Sequence, residues 1–245
     1  MDTPLPTLLV TGASGQLGGA VVRHLLDTLQ FPAERLIATS RNPDALADLA
    51  ARGVTVRAAD FDQPDTLAAA FAGADRLLLV STDALIEPGK RLAQHRAAVQ
   101  AAVEAGVPHV VYTSLPSADT SHVSFAPDHL GTERALSTSP LTWTVLRNAW
   151  YFENLAYTLP GALASGEWAS ASGDGRIAYI ARDDLARAAA VALASGNTTN
   201  RTLTLTGAQA YSARDIAARV STLTGKPLSV VDITPAQQVE GLRAH

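Results

Sequence analysis

The chain has 245 residues, of which 47% are hydrophobic and 17% charged, enough for one well-filled α/β domain with a small additional lobe. A formal net charge of -4 with scattered basic residues argues against a nucleic-acid partner. Because the sequence has no cysteine, disulfides, zinc thiolate sites and thiol nucleophiles are excluded. No apolar run approaches the roughly 18 residues of a membrane span, and no basic segment precedes an apolar core at the N-terminus. We therefore expect a cytoplasmic protein without a membrane partner.

Apolar strand patterns and helical patterns alternate through the first 147 residues. The predicted strands lie near 7–11, 35–39, 54–57, 76–80, 108–113 and 141–146. The predicted helices lie near 16–29, 43–51, 64–71, 89–105 and 126–137. Prolines at helix starts, as at Pro43 and Pro64, and glycines at helix ends, as at Gly53 and Gly106, support these bounds. This alternation predicts an α/β fold with six strands in a doubly wound parallel sheet that helices cover on both faces.

Three glycines follow the first predicted strand at three-residue spacing, in the segment Thr11-Gly12-Ala13-Ser14-Gly15-Gln16-Leu17-Gly18. Gly12 permits a sharp exit from the strand, Gly15 leaves room for a pyrophosphate against the backbone, and Gly18 allows close helix packing. The helix N-terminus then offers N–H groups and a positive dipole end to an anion. The segment predicts a dinucleotide site in a Rossmann-type fold, with a tight turn that binds no ligand as the alternative. The candidate cofactor-binding residues here are Gly12, Ser14, Gly15, Gln16, Leu17 and Gly18.

The end of the second predicted strand distinguishes between NAD and NADP. An acidic residue there accepts hydrogen bonds from the adenosine ribose, whereas this chain has Thr39-Ser40-Arg41-Asn42. Arg41 is placed for a charge-assisted hydrogen bond to a 2′-phosphate, which is worth about 1.5–3 kcal/mol. We therefore predict NADPH as the cofactor, the alternative being that Arg41 is a solvated charge before a helix.

Further candidates, most of them polar, lie at or just after the ends of the third, fourth and fifth predicted strands, along the expected path of the cofactor. Asp60 is a candidate acceptor for the exocyclic amine of adenine. Each of these positions is equally compatible with a polar cap of its strand. The candidates are Asp60, Phe61, Ser81, Thr82, Thr113 and Ser114.

The regular alternation of strand and helix patterns ends after Arg147. A helix-like stretch to about Leu163 and a glycine turn at 173–175 are followed by a helix over 182–194. A short strand at 203–205, a helix at 212–223 and a strand at 228–233 complete the pattern. We interpret residues 1–147 as an NADP-binding Rossmann core. Residues 148–245 are expected to form a smaller substrate-binding lobe, interwoven with the core and above the carboxyl ends of its strands.

The spacing Gly12-x-x-Gly15-x-x-Gly18 resembles that of the short-chain dehydrogenase/reductase superfamily, in particular its extended and atypical branches. Typical members reduce carbonyls with a tyrosine proton donor and a lysine four residues later. The two lysines of this chain are Lys90 and Lys226, and four residues before them stand Ile86 and Thr222. The sequence therefore contains no such pair.

The chain is similar to the NmrA-like atypical branch, and within it to the group of NADPH-dependent quinone oxidoreductases and triphenylmethane reductases. The matching segments are 11–18, 40–41, 129–133 and 146–154, the last of which reads Leu-Arg-Asn-Ala-Trp-Tyr-Phe-Glu-Asn and is the most diagnostic. The similarity extends to about residue 235, and family members are usually longer at the C-terminus. It implies reduction of quinones or related electron-poor aromatics by hydride transfer from NADPH.

This implied chemistry agrees with the missing dyad. A ketone reduced by hydride becomes a basic alkoxide that needs an acid, whereas a quinone becomes a stabilised phenolate-type anion that water protonates. Catalysis then depends on the orientation of the acceptor and on electrostatic stabilisation of the developing oxyanion. Asn148 is the candidate donor to that oxygen, and the resemblance implies the same position. Tyr151 and Trp150 are candidate aromatic walls, oriented by Glu153 and Asn154.

Two groups near these residues have competing interpretations. Trp150 and Phe152 have the composition of a buried core, which we expect for both. His129 and Glu133 are four residues apart and share a face if they are helical. They either contact the substrate, which makes His129 a candidate catalytic residue beside Asn148 and Tyr151, or they hold each other as a pair on the helix surface.

A non-catalytic NADP(H)-binding redox sensor of NmrA type is the competing function, although the sequence has no basic patch or long amphipathic extension for a partner. A nucleotide-sugar epimerase and a phenylpropanoid reductase are less favoured because both require catalytic residues that this chain lacks. The six histidines include no pair at metal-binding helical spacing, so no metal site is predicted. The expected partner is a small aromatic acceptor, and a homodimer is the candidate assembly.

Overall fold

The structure is a computed structural model that describes residues 5–243. Within that range the strands are Leu8–Val10 (β1), Leu36–Ser40 (β2), Thr55–Ala58 (β3), Arg76–Leu79 (β4), His109–Ser114 (β5), Thr142–Asn148 (β6), Glu167–Ser170 (β7), Arg201–Leu205 (β8) and Ser229–Asp232 (β9). The helices are Gln16–Arg23 (α1), Ala47–Ala51 (α2), Leu67–Phe71 (α3), Lys90–Glu104 (α4), Ala126–Ser137 (α5), Leu159–Ser165 (α6), Arg182–Ala194 (α7), Ala213–Thr224 (α8) and Pro235–Arg243 (α9). Among these described residues, no helix combines the length and the apolar character needed to cross a bilayer.

Seven of the strands form one parallel sheet in the order β3-β2-β1-β4-β5-β6-β8. The strands β1, β2, β4 and β5 are buried throughout, as expected for a sheet with helices on both faces. Because the chain moves outward from β1 in one direction and from β4 in the other, a topological switch point lies between their carboxyl ends. The predicted doubly wound, Rossmann-type α/β fold is confirmed.

The seventh strand departs from the expectation of six. Val145 of β6 pairs with Thr202, and Asn148 pairs with Leu205, so β8 extends the sheet at its edge. Residues 183–205, which we expected in the C-terminal lobe, therefore belong to the first of two compact units. That unit comprises the chain up to Asn148 together with Asp183–Leu205. The short strand at 203–205 is recognisable in the sequence, but its partner is not.

A buried arginine connects β4 to the end of α7 within this first unit. Arg76 is 4% exposed and donates through Nε to the carbonyl of Leu193, at 2.7 Å. Its other nitrogens donate to the carbonyls of Asn197 and Ala192, at 3.0 and 3.3 Å. The charge thus satisfies carbonyl groups that the end of a helix leaves without intrahelical partners.

The first helix begins as predicted and then changes its winding. Residues 24–28 continue α1 as a π-helical turn, in which Leu29 N–H donates to the carbonyl of His24 at 2.9 Å. The extra residue rotates the following position away from the sheet. Leu29, at the end of the predicted helix, is 36% exposed, whereas Val21 and Leu25 are fully buried.

The second unit comprises Ala149–Arg182 and the chain from Thr206 onward. In it β7 and β9 pair in parallel, with Trp168 opposite Val230. A small apolar core of Ala162, Ala217 and Leu228 lies beneath them. Neither β7 nor α9 was expected from the sequence. The strand β7 is short and pairs with a strand about sixty residues away, which leaves no local signal.

Candidate cofactor and active site

The glycine segment after β1 forms a tight, exposed loop that leads into α1. Gly12 has a φ of +61°, in the left-handed region that favours glycine, and its carbonyl accepts the Gly15 N–H at 2.9 Å. A Cβ built on Gly18 would lie 2.3 Å from the Gly12 carbonyl oxygen, so no side chain fits there. Gly15 is the N-cap residue of α1 and has no side chain with which to cap the first turn. The loop therefore presents the start of α1 to an anion.

A pair of serines ties this loop to the exit of β2. The Ser14 and Ser40 hydroxyl oxygens are 2.8 Å apart, and Ser40 Oγ also accepts the Asn42 N–H at 3.0 Å. Ser40 is buried, whereas the neighbouring Arg41 side chain is exposed. The backbone that carries Arg41 is thereby held beside the glycine loop.

The carboxylate of Asp62 lies within the electrostatic reach of Arg41 but is neutralised by α4. Gln94 Nε2 donates to Asp62 Oδ1 at 2.8 Å, and Lys90 Nζ lies 3.1 Å from Oδ2. These hydrogen bonds, from Gln94 and then from Lys90, lower the pKa of Asp62, and Arg41 contributes a smaller electrostatic effect. Because Asp62 is already paired, it leaves the positive charge of Arg41 available to a ligand.

Three other predicted cofactor residues are buried or have contacts within the protein. Leu17 is 9% exposed, so its backbone N–H, not its side chain, is the group that can face a phosphate. Phe61 packs against the main apolar core. Asp60 accepts the Asp62 N–H at 3.0 Å in a local turn. The role of Asp60 towards adenine stays a prediction.

The predicted residues at the ends of β4 and β5 contact one another. Thr113 Oγ1 accepts the Ser81 N–H at 2.9 Å and lies 3.3 Å from the Ser81 hydroxyl. The Thr82 N–H donates to Nε2 of His95, on α4, at 3.0 Å. These side chains therefore hold the backbone where β4 ends, one strand from the glycine loop.

Ser114 belongs to a compact polar cluster with a charged pair. Its hydroxyl donates to Glu133 Oε1 at 2.6 Å. Arg147 donates to both carboxylate oxygens of Glu133, at 3.0 and 2.7 Å, and this hydrogen bonding raises the pKa of Arg147. Since the pair is mutually neutralised, the ends of β5 and β6 carry little net charge.

His129 is buried inside the first unit and does not pair with Glu133. Its Nδ1 lies 2.7 Å from the Tyr112 hydroxyl and its Nε2 lies 3.0 Å from a guanidinium nitrogen of Arg91. The side chain is 3% exposed, and burial, reinforced by Arg91, lowers its pKa to about 3. The surface-pair interpretation of His129 and Glu133 is therefore wrong. His129 is neutral at neutral pH with both ring nitrogens engaged.

Asn148 ends β6 at the same edge of the sheet as the glycine loop. It is 8% exposed, yet its Oδ1 has no hydrogen-bond partner among residues 5–243. A buried amide without a partner is costly unless another group satisfies it. Asn148 is thus the predicted site residue with unused polar capacity.

The predicted aromatic residues lie at the start of the second unit. The Arg182 guanidinium lies 5.6 Å from the Tyr151 ring centroid, and the Arg182 N–H donates to the Glu153 carboxylate at 2.9 Å. Phe152 stacks on Tyr179 with ring centroids 5.3 Å apart. Glu153 therefore fixes the backbone of the residue whose guanidinium covers Tyr151.

The expectation that Trp150 and Phe152 are core residues is wrong. They are 45% and 38% exposed, respectively. The Trp150 carbonyl accepts the Ile180 N–H, and the Phe152 N–H donates to the Ile180 carbonyl. This short extended pairing ends where a 3-10 helix begins at Phe152 and leaves the two aromatic rings partly exposed.

The model of the NmrA-like family matches residues 5–242. The chain belongs to this family. Quinone oxidoreductase 2 of Escherichia coli (strain K12) is 38% identical over 237 residues, which cover 97% of this chain and 81% of that protein. An Escherichia coli NADPH-dependent quinone oxidoreductase complexed with NADPH has a similar structure, with a TM-score of 0.91 at 38% identity over 97% of this chain and 82% of the other. The Citrobacter sp. triphenylmethane reductase complexed with NADP(H) gives a TM-score of 0.90 at 34% identity, over 98% and 84%. The resemblance predicted from the sequence is confirmed.

Two features of this NmrA-like site were missed in the sequence. One is the Glu133 and Arg147 pair, whose members are fourteen residues apart and lie on different elements. The other is His95, which lacks a metal-binding neighbour in the sequence and was assigned no role. The only local signal for His95 is its position on the apolar face of α4, which does not reveal that Thr82 is its partner.

Proposed function

We propose that this NmrA-like protein binds NADPH at the switch point between β1 and β4 and reduces quinones or similarly electron-poor aromatic compounds by hydride transfer. The observation that carries the proposal is the glycine loop, in which Gly18 leaves no space for a side chain beneath the Gly12 carbonyl. The NADPH and NADP(H) complexes of its structural relatives, and their quinone and dye reductase names, support the same cofactor and acceptor class.

The residues around the loop fit the chemistry of a dinucleotide phosphate. Exposed positions at Gly12, Ser14, Gly15 and Gln16 leave the start of α1 accessible to a pyrophosphate. Arg41, held beside the loop through the Ser14 and Ser40 contact, is proposed to bind the 2′-phosphate. The arrangement favours NADPH over NADH, because NADH lacks the phosphate that Arg41 would contact.

When bound, NADPH supplies the hydride. We propose that Asn148 donates an amide N–H to the acceptor oxygen on which negative charge develops. Its Oδ1, which has no partner among residues 5–243, can only accept a hydrogen bond and is not satisfied by that oxygen. No residue in the first unit is proposed as the acid. His129 is neutral and engaged on both sides, burial raises the pKa of the Tyr112 hydroxyl, and the Ser114 proton is held by Glu133. Water therefore protonates the reduced aromatic product.

Tyr151 remains a proposed aromatic wall for the acceptor ring. The Arg182 guanidinium on its face fixes the ring orientation. A planar aromatic acceptor favours such a surface because offset stacking adds about 0.5–1.5 kcal/mol beyond area burial. This role and the substrate-binding role of the second unit rest on the sequence pattern and the family resemblance.

The test combines NADPH binding with turnover of 1,4-benzoquinone in wild type and in Asn148→Ala. Removing one oxyanion donor is expected to lower kcat by about a hundredfold while the Kd for NADPH stays within about twofold. Equal loss of binding and turnover would assign Asn148 a structural role. Tight NADPH binding by the wild type without turnover of any quinone, azo compound or triphenylmethane dye would instead support the non-catalytic redox sensor.

A further inference from the structure

The backbone just after β4 is held by side chains from other parts of the chain. Three successive N–H groups, at positions 80 to 82, each donate to a side-chain atom at 2.9–3.0 Å. The acceptors are Thr11 Oγ1 after β1, Thr113 Oγ1 on β5 and His95 Nε2 on α4. The first of these bonds spans the switch point itself. The next helix or strand is α4, which begins at Lys90, so these three bonds fix positions 80 to 82 where β4 ends.

His95 serves in this arrangement only as one tautomer. Its Nδ1 lies 2.9 Å from Thr132 Oγ1, and the Thr132 hydroxyl donates its own proton to the Asp128 carbonyl at 2.7 Å. Thr132 can therefore only accept from His95, which places the ring proton on Nδ1. Nε2 is left bare and accepts the Thr82 N–H.

A second layer fixes the ring of His95 from behind. Tyr112 contacts it edge to face, with ring centroids 5.6 Å apart. The Tyr112 hydroxyl lies 2.7 Å from His129 Nδ1, and Arg91, which can only donate, approaches His129 Nε2 at 3.0 Å. His129 therefore donates through Nδ1 to Tyr112. The side chains of His95, Tyr112, His129 and Arg91 are all nine-tenths or more buried. The ring of His95 therefore cannot rotate towards solvent.

We propose that His95 is a positioning residue for the cofactor: its Nε2 holds the Thr82 N–H and so fixes the β4 exit as one wall of the dinucleotide crevice. The inference rests on the proposed NADPH site, because in doubly wound sheets a dinucleotide lies across the carboxyl ends of the strands at the switch point. Loss of this acceptor releases the strand exit on the side that faces the cofactor. Burial, reinforced by Arg91 and His129, also lowers the pKa of His95 to about 3, which keeps Nε2 an acceptor at neutral pH.

Two substitutions separate the two ring nitrogens. In His95→Gln the amide oxygen can replace Nε2 as the acceptor for Thr82, while the donor to Thr132 is lost. In His95→Asn the amide nitrogen can replace Nδ1 as the donor to Thr132, while the acceptor for Thr82 is lost. Both variants remove ring volume and one buried hydrogen bond, so a purely structural role lowers their thermal stability and their NADPH affinity alike.

The experiment measures NADPH affinity by fluorescence titration without an acceptor, together with Tm and the KM for 1,4-benzoquinone. We expect His95→Asn to raise the Kd for NADPH about tenfold, which corresponds to about 1.4 kcal/mol. We expect His95→Gln to stay within about threefold of wild type (roughly 0.6 kcal/mol), with the benzoquinone KM changed little in either. Equal Kd values in the two variants would overturn the inference, as would a Kd in His95→Asn equal to that of wild type.

The same comparison distinguishes this inference from the proposed function. If wild type fails to bind NADPH, the proposed function itself is wrong; if wild type binds and reduces quinone while the two variants behave alike, only the role of His95 is wrong. If both variants fail to fold, Thr132→Val and Thr132→Ser test the same role of His95. Only serine keeps the hydroxyl that fixes the His95 tautomer. The valine variant is then expected to bind NADPH about tenfold more weakly than the serine variant.

Discussion

Three buried histidines should make the first unit sensitive to mild acid. His95, His129 and His109 are 0%, 3% and 1% exposed. Burial, reinforced by neighbouring arginines, lowers their pKa values from 6.5 to about 3, about 3 and about 4. Below pH 6.5 the unfolded chain therefore binds protons that the native chain does not. The free energy of unfolding must then fall as the pH decreases from 6.5 towards 4. Above pH 6.5 these histidines are neutral in both states, and the free energy of unfolding keeps its full value.

The size of the effect follows from the number of groups. Each histidine contributes a slope of up to about 1.4 kcal/mol per pH unit, so between pH 7 and pH 5.5 the three together cost roughly 4 kcal/mol. A loss of that size is a large part of a typical domain stability of about 5–15 kcal/mol. Urea unfolding at pH 7.5, 6.5, 6.0 and 5.5 measures it, and hydrogen exchange of β5 amides reports on the first unit alone.

Substitution of one histidine sharpens the test. His109 contacts the hydroxyls of Thr142 and Thr144, and a glutamine there does not titrate, so His109→Gln should remove about one third of the pH slope. His122 is exposed, and His122→Gln serves as the matched surface control for the substitution itself. Stability that is flat between pH 7 and 5.5, or a slope in His109→Gln as steep as in wild type, would refute the reasoning.

Three further predictions concern the cofactor loop and the core. Arg41→Asp should raise the Kd for NADPH roughly tenfold to a hundredfold and leave that for NADH little changed, and an unchanged ratio of the two would contradict the assignment. Gly18→Ala should lose about 1–3 kcal/mol of stability in urea and weaken NADPH binding, because its Cβ meets the Gly12 carbonyl at 2.3 Å; Gly161→Ala, with open space at that position, should be neutral or slightly stabilising. Arg76→Leu should cost roughly 3–5 kcal/mol because it removes the arginine donor from the carbonyls of Leu193 and Asn197, and equal stability of this variant and wild type in urea would disprove that role.

Local sequence patterns were sufficient for β1 to β6 and for the glycine loop. Strand and helix periodicity, with proline and glycine at the boundaries, is a short-range property, and β1 to β6 follow it. The positive φ of Gly12 and the crowding at Gly18 are local consequences of one tight turn, so residue type alone predicted them. The cofactor class and the family followed from the same residues and from the motif at 146–154.

Contacts between distant parts of the chain could not be predicted in this way. The pairing of β8 with β6 and the approach of Arg76 to Leu193, 117 residues away, leave no periodic trace in the sequence. His129 was placed correctly on a helix, but its partners come from α4 and β5, which changes its environment from a surface to a core. The exposure of Trp150 likewise follows from a pairing with Ile180 that residue type does not indicate.

The first unit is formed by two separate segments of the chain, and this affects the order in which it can fold during synthesis. Its seventh strand and the acceptors of the Arg76 guanidinium are encoded after residue 182, so a nascent chain that has emerged only to Asn148 holds a charged side chain without the carbonyls that will receive it. Synthesis must pass through the whole of 149–182 before that front portion is complete. We therefore expect a fragment cut after Asn148 not to fold on its own, and truncation or domain-swapping designs in this protein should keep residues 183–205 together with it.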